Sequence, residues 1–221
     1  MSSCEHPSRV AVHAHNHIPS LHERMTRSSS SRPTLYTIGH SNHSEEKFLD
    51  LVKQHGVEVL VDVRSQPASR YNPQFNEIIL KRALEAAGIR YLFMGDQLGG
   101  RPEGDEFLDD EGHALYHLMA ESPVFLAGIE RLERGADEHR VAIMCSEEDP
   151  AVCHRHLLVT RVLSGRGVDV LHIRADGRLE TEDQIAPQQK QGVLFAELEQ
   201  ESWKSLRSVL PKHRPPNSSE S

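Results

Sequence analysis

The sequence predicts a single compact α/β domain in which a mostly parallel sheet of about five strands is flanked by helices. Short apolar segments of strand type alternate with amphipathic helical segments, and glycines close two of the helical segments, at Gly56 and Gly88. Such alternation is typical of a parallel sheet that is covered on both faces. A chain of 221 residues with polar ends has room for one core of this kind.

The first half of the domain supplies three of the strands. A helix is predicted to begin at the cap Ser44, with Glu45 and Glu46 in its first turn. A second helix is expected over residues 74–87. The strands are predicted at residues 35–38, 57–63 and 89–94.

The second half begins with a glycine-rich, acidic loop over residues 95–112, and loops of this length are usually functional or mobile. Ser122 and Pro123 are typical of a helix start, as are Asp149 and Pro150. The remaining expected elements are helices at 113–120, 123–134, from 149 and at 195–210, and strands at 141–144 and 168–173.

Composition sets the boundaries and the class of protein. Residues 1–33 read as a disordered leader, 34–210 as the domain and 211–221 as a disordered tail. With no long uncharged apolar run, three cysteines and no signal-peptide pattern, we expect a cytoplasmic protein that does not enter membranes. The net charge of −8 disfavours bulk electrostatic binding of nucleic acid, although a local basic cleft is compatible with it.

The leader contains three closely spaced histidines, His13, His15 and His17. They can collect a transition metal, but the segment has no partner structure. We therefore assign no metal role to the leader.

Polar side chains are concentrated where the predicted strands end. Because parallel strands place their carboxyl ends at one edge, where ligands of open α/β sheets bind, these residues are expected to share a crevice. They are His40, Ser41, Asp62, Arg64, Gly99, Gly100, Arg101, Cys145, Glu147 and His172, the last of which is assigned no role.

Two of the three cysteines lie in one strand-to-helix connection. Cys153 falls in the first turns of the predicted helix, where the free amides favour a thiolate and His154 and Arg155 add positive charge. Cys145 is followed by the carboxylate of Glu147 and two further acidic residues, which should raise the pKa of its thiol. Cys153 is thus predicted to be the thiolate and Cys145 its partner. The alternative is that both are small buried core residues.

Asp62, Glu147 and His40 are the acid/base candidates. Asp62 ends an apolar strand, where a carboxylate needs a partner such as Arg64 or His40. The alternative is that Asp62 only orients Arg64. A histidine titrates near neutral pH and is therefore suited to proton transfer.

Several arginines near the strand ends are candidates for binding an anionic ligand, because a guanidinium suits bidentate binding of phosphate or carboxylate. The alternative is that these arginines pair with surface carboxylates. No Walker or dinucleotide-binding glycine pattern is present, and Ala151 occupies the arginine position of a Cys-x5-Arg phosphatase loop. The predicted ligand-binding residues are Ser41, Arg64, Arg70, Gly99, Gly100, Arg101, His154 and Arg155.

Four blocks of the sequence, in this order over residues 34–175, resemble the domain of unknown function 488 (DUF488) family. The resemblance implies a compact α/β domain with a site built from the blocks, and it supplies no established reaction. The blocks are Thr37-Ile38-Gly39-His40-Ser41; Asp62-Val63-Arg64 with Pro67, Ser69 and Arg70; Gly88-Ile89-Arg90-Tyr91 with Leu98-Gly99-Gly100; and Cys145-Ser146-Glu147 with Cys153-His154-Arg155.

Three functions remain open. The first is an enzyme that binds an anionic small molecule or nucleotide and uses acid/base or thiol chemistry. The second is a nucleic-acid-associated module in which arginines grip phosphates and Tyr71 stacks on bases. The third is a metal-binding or redox-switch protein that uses Cys145 and Cys153, although no metal ligands are assigned because the sequence has no Cys-x-x-Cys pair. Any cofactor and the oligomeric state stay open.

Overall fold

The computed structural model describes residues 32–185 and 203–210. The predicted tail, the three leader histidines and all but the last two residues of the predicted leader lie outside the described residues. The domain boundaries therefore remain predictions.

The described residues form a mixed sheet of six strands in the order β3-β2-β4-β1-β5-β6. Strands β1 to β5 are parallel, and β6 runs antiparallel to β5. The predicted α/β class with a mostly parallel sheet is confirmed. The strands are β1 Thr34–Gly39, β2 Val59–Asp62, β3 Arg90–Phe93, β4 Val141–Cys145, β5 Asp169–Ile173 and β6 Leu179–Thr181.

The sheet has one strand beyond the five that the sequence places individually. The sixth strand forms a hairpin with β5, and its turn includes Gly177 at a φ of 86°. With the sequence Leu-Glu-Thr, β6 is too short and too polar to show a strand pattern. It lies at the edge of the sheet, where only one neighbour holds it.

Helices cover both faces of the sheet. Ser44 caps α1 by accepting from the Lys47 amide, and Ser122 caps α5 by accepting from the Phe125 amide. The helices are α1 Glu45–Gln54, α2 Glu77–Ala86, α3 Gly95–Leu98, α4 Tyr116–Glu121, α5 Pro123–Glu138, α6 Arg161–Gly165 and α7 Glu182–Ile185, with a π-helix at Arg155–Thr160 before α6. Within the described ranges, no helix combines the length and apolar character needed to cross a bilayer.

Two hydrophobic cores lie on opposite faces of the sheet, because alternate residues of a strand point in opposite directions. On β4, Ile143 and Cys145 join the core beneath α5 and α6, whereas Ala142 and Met144 join the core beneath α1 and α2. All residues of β4 are buried. Cys145 is thus held at the carboxyl end of a central strand.

Two predicted helices differ from the structure. Asp149 caps only a 3-10 turn, Pro150–Val152, and Cys153 is extended before the π-helix begins. The described part of the expected terminal helix, residues 203–210, contains no helix. This segment instead hydrogen bonds along residues 112–117, with the Ser205 amide donating to the Ala114 carbonyl at 2.8 Å. Those tertiary bonds replace helical ones.

Candidate functional site

A cavity of about 650 Å³ opens beside the carboxyl end of β4. Its walls come from the loops after β2 and β4, the start of the π-helix and the segment 205–209. The lining residues include Arg64, Ser65, Gly100, Arg101, Tyr116, Cys145, Glu147, Cys153, His154 and Arg207. The parallel strand order brings together the loops after β2 and β4, whereas the segment 205–209 is held by hydrogen bonds to residues 112–114.

Two thiols, a carboxylate and an imidazole meet in the wall of this cavity. Cys145 Sγ lies 3.2 Å and Cys153 Sγ 3.1 Å from the same atom, Glu147 Oε2. His154 Nδ1 lies 3.5 Å from Cys145 Sγ and 4.0 Å from Cys153 Sγ. The opposite ring nitrogen, His154 Nε2, donates to the Val63 carbonyl at 2.9 Å. The imidazole is therefore fixed with Nδ1 turned toward the sulfurs.

The electrostatic surroundings shift the pKa values of the two thiols in opposite directions. Burial opposes ionisation of Cys153, but the hydrogen bond from Cys145 and the positive charges of Arg155 and His154 outweigh it and lower the pKa of Cys153 well below its usual value. The pKa of Cys145 is raised by its hydrogen bond with Cys153, by burial and by the negative charges beside it. The arrangement thus stabilises a thiolate at Cys153 and a neutral thiol at Cys145.

The two remaining groups respond to that thiolate. Burial raises the pKa of Glu147, and the negative charge of Cys153 raises it further. For His154, burial favours the neutral ring, but the hydrogen bond and charge of Cys153 prevail and raise its pKa. The cluster can therefore hold a proton at Glu147 or His154 next to the thiolate.

Local backbone structure explains why Cys153 is favoured. Its carbonyl accepts from the amides of His156 and Leu157 at 3.0 and 2.9 Å, so Cys153, although extended itself, stands immediately before the start of the π-helix. Its sulfur accepts from the Arg155 amide at 3.5 Å. Free amides at a helix start stabilise negative charge.

The loop that carries Glu147 is held against β1. The Ser41 amide, at a φ of 48°, donates to the Ser146 carbonyl at 2.8 Å. A Cβ atom at Gly39 would lie 1.8 Å from the Glu147 carbonyl oxygen, so only glycine permits this approach. The Gly39 position therefore sets where Glu147 stands.

Arg155 also holds the loop that carries Glu147, through hydrogen bonds to its backbone. It is 1% exposed, and its guanidinium donates to the carbonyls of Glu147 and Glu148 and, through Nε at 3.3 Å, to Thr37 Oγ1. These bonds occupy the donors that were predicted to bind a ligand. Arg155 also does not line the cavity. Its placement therefore argues against direct ligand contact and for a positioning role.

His40, Asp62 and Arg64 form a buried network next to the cavity, and Arg64 is the member that lines it. Arg64 Nε and Nη2 donate to the two Asp62 oxygens at 2.9 and 2.6 Å, and Nη1 lies 3.2 Å from His40 Nε2. Tyr91 Oη also donates to Asp62, at 2.9 Å. Burial, with a smaller effect of the Arg64 charge, lowers the pKa of His40 to about 4. The neutral His40 and the fully bonded Asp62 are not placed for proton transfer in the cavity.

Comparison with known families identifies the domain. The model of the family "Domain of unknown function DUF488" matches residues 44–162, more than half of the chain. The chain belongs to the DUF488 family. The matched range includes the thiol cluster and Arg64, and it ends within α6. No match was found among curated proteins or among solved structures.

The double glycine of this DUF488 domain, Gly99-Gly100, packs closely against Ser65 and His154. A Cβ atom at Gly100 would lie 2.6 Å from the ring of His154, and one at Gly99 2.3 Å from Ser65 Oγ. The Arg101 amide donates to the same Ser65 oxygen at 3.0 Å. The exposed Arg101 side chain is thereby placed at the cavity.

Two predicted ligand-binding residues of the DUF488 domain lie elsewhere. Arg70 is exposed and lies over the ring of Tyr71 at 5.1 Å, outside the cavity lining. Ser41 likewise does not line the cavity, and its hydroxyl lies 3.4 Å from Asn42 Oδ1. Neither is brought to the thiols.

Sequence reasoning missed three contributors to the site. Tyr91 belongs to a block quoted for the family resemblance, and that block was the available signal. Tyr91 does not line the cavity and contributes only through its hydrogen bond to Asp62. Tyr116 and Arg207 line the cavity, and no local pattern marks them, because each arrives from a distant segment.

Three groups of side chains among the described residues have metal-ligand atoms within 4.8 Å of one another. The first belongs to the thiol cluster, the second is buried behind it and the third is on the acidic loop. They are Cys145 with Cys153 and His154; His156 with His172 and Glu182; and Asp109 with Glu111 and His113.

Proposed function

We propose that this DUF488 protein is an enzyme in which the Cys153 thiolate attacks an electrophilic centre of an anionic small molecule. The observation that carries this proposal is the convergence of Cys153, Cys145, His154 and Glu147 on one cavity wall, with sulfur contacts of 3.1 to 4.0 Å. Structural cysteines in a core are usually surrounded by apolar groups. Here both sulfurs contact a carboxylate and an imidazole, the partners used to activate nucleophiles.

Each member of the cluster has a distinct task. Cys153 attacks the substrate and displaces a leaving group, and His154, as imidazolium, gives that group a proton. Cys145 keeps its proton and stabilises the thiolate by its hydrogen bond. Glu147 then takes a proton from a water molecule, whose oxygen attacks the group carried on Cys153, so that the bond to sulfur breaks and the Cys153 thiolate is restored.

Binding of the anionic substrate is assigned to the exposed arginines of the cavity, Arg101 and Arg207. Arg64 and Arg155 are excluded from this task because their guanidinium groups bond to protein oxygens. The cavity volume of about 650 Å³ is in the range of small-molecule sites. A phosphorylated metabolite or a nucleotide is the substrate class that fits this charge and size.

Thiol reactivity is the first test. In a tag-free Cys4→Ser background, the protein is treated with iodoacetamide across a pH series, and alkylation is mapped by mass spectrometry. Cys153 should react faster than Cys145 and continue to react below the pH at which an ordinary thiol loses its proton. Equal rates at the two thiols, or faster reaction at Cys145, would overturn the assignment.

Ligand protection and turnover form the second test. Phosphorylated and nucleotide compounds are screened for slowing of Cys153 alkylation and for turnover. Arg101→Gln and Arg207→Gln should weaken protection, whereas Arg70→Gln, outside the cavity, should not. Turnover that survives in Cys153→Ser would refute the nucleophile. Stoichiometric metal in the same preparation, lost in Cys145→Ser, would instead support the metal hypothesis for the thiols.

A further inference from the structure

A second cluster of polar side chains is buried behind the thiol site. His156 on the π-helix, His172 on β5 and Glu182 at the start of α7 bring their ligand atoms within 4.8 Å of one another. The imidazoles are 6% and 1% exposed. The two rings meet edge to face, with centroids 5.7 Å apart. Three separate elements thus deliver polar groups to one buried point.

Two ring nitrogens of this cluster lack a hydrogen-bond partner. His156 Nδ1 and His172 Nε2 are buried and make no hydrogen bond of acceptable geometry. They nevertheless lie 2.8 and 3.4 Å from the two carboxylate oxygens of Glu182. Buried polar atoms almost always form hydrogen bonds. The close approach of these ring nitrogens to the Glu182 oxygens without hydrogen-bond geometry therefore needs an explanation. A cation bound between the three groups supplies one.

The donor set and spacing suit zinc. Two imidazoles and one carboxylate are a common zinc set, with bonds of about 2.0 to 2.2 Å, which place tetrahedral ligand atoms roughly 3.3 to 3.6 Å apart. The observed distance of 3.4 Å from His172 Nε2 to Glu182 lies within this range, and the distance of 2.8 Å from His156 Nδ1 to Glu182 would have to lengthen by about 0.5 Å to admit the ion. Glu182 keeps 19% of its side chain exposed, which leaves a route for a water ligand in the fourth position.

The surroundings also resemble the outer shell of a metal site. Thr37 Oγ1 lies 2.8 Å from His172 Nδ1, the nitrogen that faces away from Glu182. Thr160 donates its hydroxyl proton to Glu182 Oε1. Partners of this kind fix the tautomer of a ligating histidine and the orientation of a ligating carboxylate. His172 and Glu182 are therefore already held in place.

We propose that His156, His172 and Glu182 bind one divalent zinc ion through His156 Nδ1, His172 Nε2 and the Glu182 carboxylate. The site is separate from the thiols and does not depend on the proposed enzyme activity. Arg155 lies between the two, since its guanidinium contacts both Thr37 and the Glu147 carbonyl. Bound zinc would brace β5, α7 and the π-helix behind the thiol loop.

The test uses the full chain without a tag and with His13, His15 and His17 changed to alanine, which removes the leader as a competing ligand. Co²⁺ titration followed by absorption, with Zn²⁺ competition, reports both stoichiometry and ligand type. We expect one equivalent of cobalt without thiolate-to-metal charge transfer, retained in Cys145→Ser. Glu182→Gln and His172→Gln should weaken binding by more than about 100-fold, beyond the loss typical of outer-shell changes.

Glu180→Gln is the matched control, because Glu180 is two residues away and pairs with Arg174 at 2.8 Å instead. Zinc should raise the melting temperature of the parent and of Glu180→Gln, and not of Glu182→Gln. Should the variants fold poorly, zinc-induced shifts of the His156 and His172 ring nitrogens in the parent give the same answer by NMR.

Three outcomes would overturn the proposal. They are absence of bound metal in the parent, cobalt bands of thiolate type that Cys145→Ser removes, and equal affinity in Glu182→Gln and Glu180→Gln. Absence of zinc-induced shifts at both rings would count equally against it.

Discussion

The buried pair of Arg64 and Asp62 offers a quantitative test of the scaffold beneath the site. Replacing Arg64 by methionine keeps much of the side-chain volume and removes every guanidinium donor. The carboxylate of Asp62, which is 0% exposed, then loses its two hydrogen bonds from Arg64, of 2.9 and 2.6 Å. The Phe75 carbonyl loses its donor at 2.8 Å as well.

The size of the effect follows from these contacts. Two charge-assisted hydrogen bonds at about 1.5 to 3 kcal/mol each place the loss at roughly 3 to 6 kcal/mol. Removal of one partner from a buried ion pair costs about 3 to 5 kcal/mol. We therefore expect Arg64→Met to lower the free energy of unfolding by about 4 kcal/mol, a large fraction of the stability of a typical domain. Solvent screening is small because the Arg64 side chain is 3% exposed.

Urea unfolding measures this loss, and a double-variant cycle identifies its cause. Adding Asp62→Asn to Arg64→Met removes the unpaired charge, so the double variant should recover about 2 kcal/mol relative to the sum of the single changes. Arg178→Met is the control, since its pair with Asp176 at 3.0 Å is exposed and should contribute less than about 1 kcal/mol. A loss below about 1 kcal/mol in Arg64→Met, or strict additivity in the cycle, would refute the reasoning.

Three further predictions concern residues around the site. The pKa of His40 is about 4 in the folded protein and about 6.5 in the unfolded chain, so between these pH values the unfolded state binds more protons. The free energy of unfolding should therefore fall by about 3 kcal/mol as the pH drops from 6.5 to 4. His40→Gln should flatten this slope in urea melts at several pH values; an unchanged slope contradicts it. Gly39→Ala should cost about 3 kcal/mol or more, since its Cβ would meet a backbone oxygen at 1.8 Å, whereas Gly165→Ala, with open space, should be neutral or stabilising in thermal melts. Cys145→Ala should slow alkylation of Cys153 at neutral pH, because loss of the Cys145 hydrogen bond raises the pKa of Cys153; faster alkylation would contradict the division of the two thiols.

Local pattern was sufficient for the parts of the fold that depend on neighbouring residues. The caps at Ser44 and Ser122 and the buried strand ending at Cys145 follow from short-range chemistry, and they appear where the sequence predicts them. Asp149 also acts as a cap, but of a 3-10 turn rather than of a long helix. The alternation of strands and helices along the chain was enough to predict parallel strands, and parallel strands place the polar residues that follow them at one edge of the sheet.

Contacts between distant segments account for what the sequence did not predict. Nothing near Arg155 in the chain indicates that its guanidinium turns inward to hold the loop at Glu147. The same is true of His172, which the sequence places at a strand end without a role and which meets His156 and Glu182 only through the hairpin of β5 and β6. Such contacts depend on which strands become neighbours, and that order is not written in any single segment.

The sequence by itself determined the α/β class, the alternation of elements and the family, because periodicity, caps and ordered blocks are local properties. It also predicted which thiol should ionise, since Cys153 precedes two positive residues at a helix start. Only the tertiary structure decided which arginines are available for a ligand and which are consumed by the fold. The physical reason is burial: a guanidinium enclosed by protein must satisfy its donors there, and the sequence does not show which oxygens will surround it.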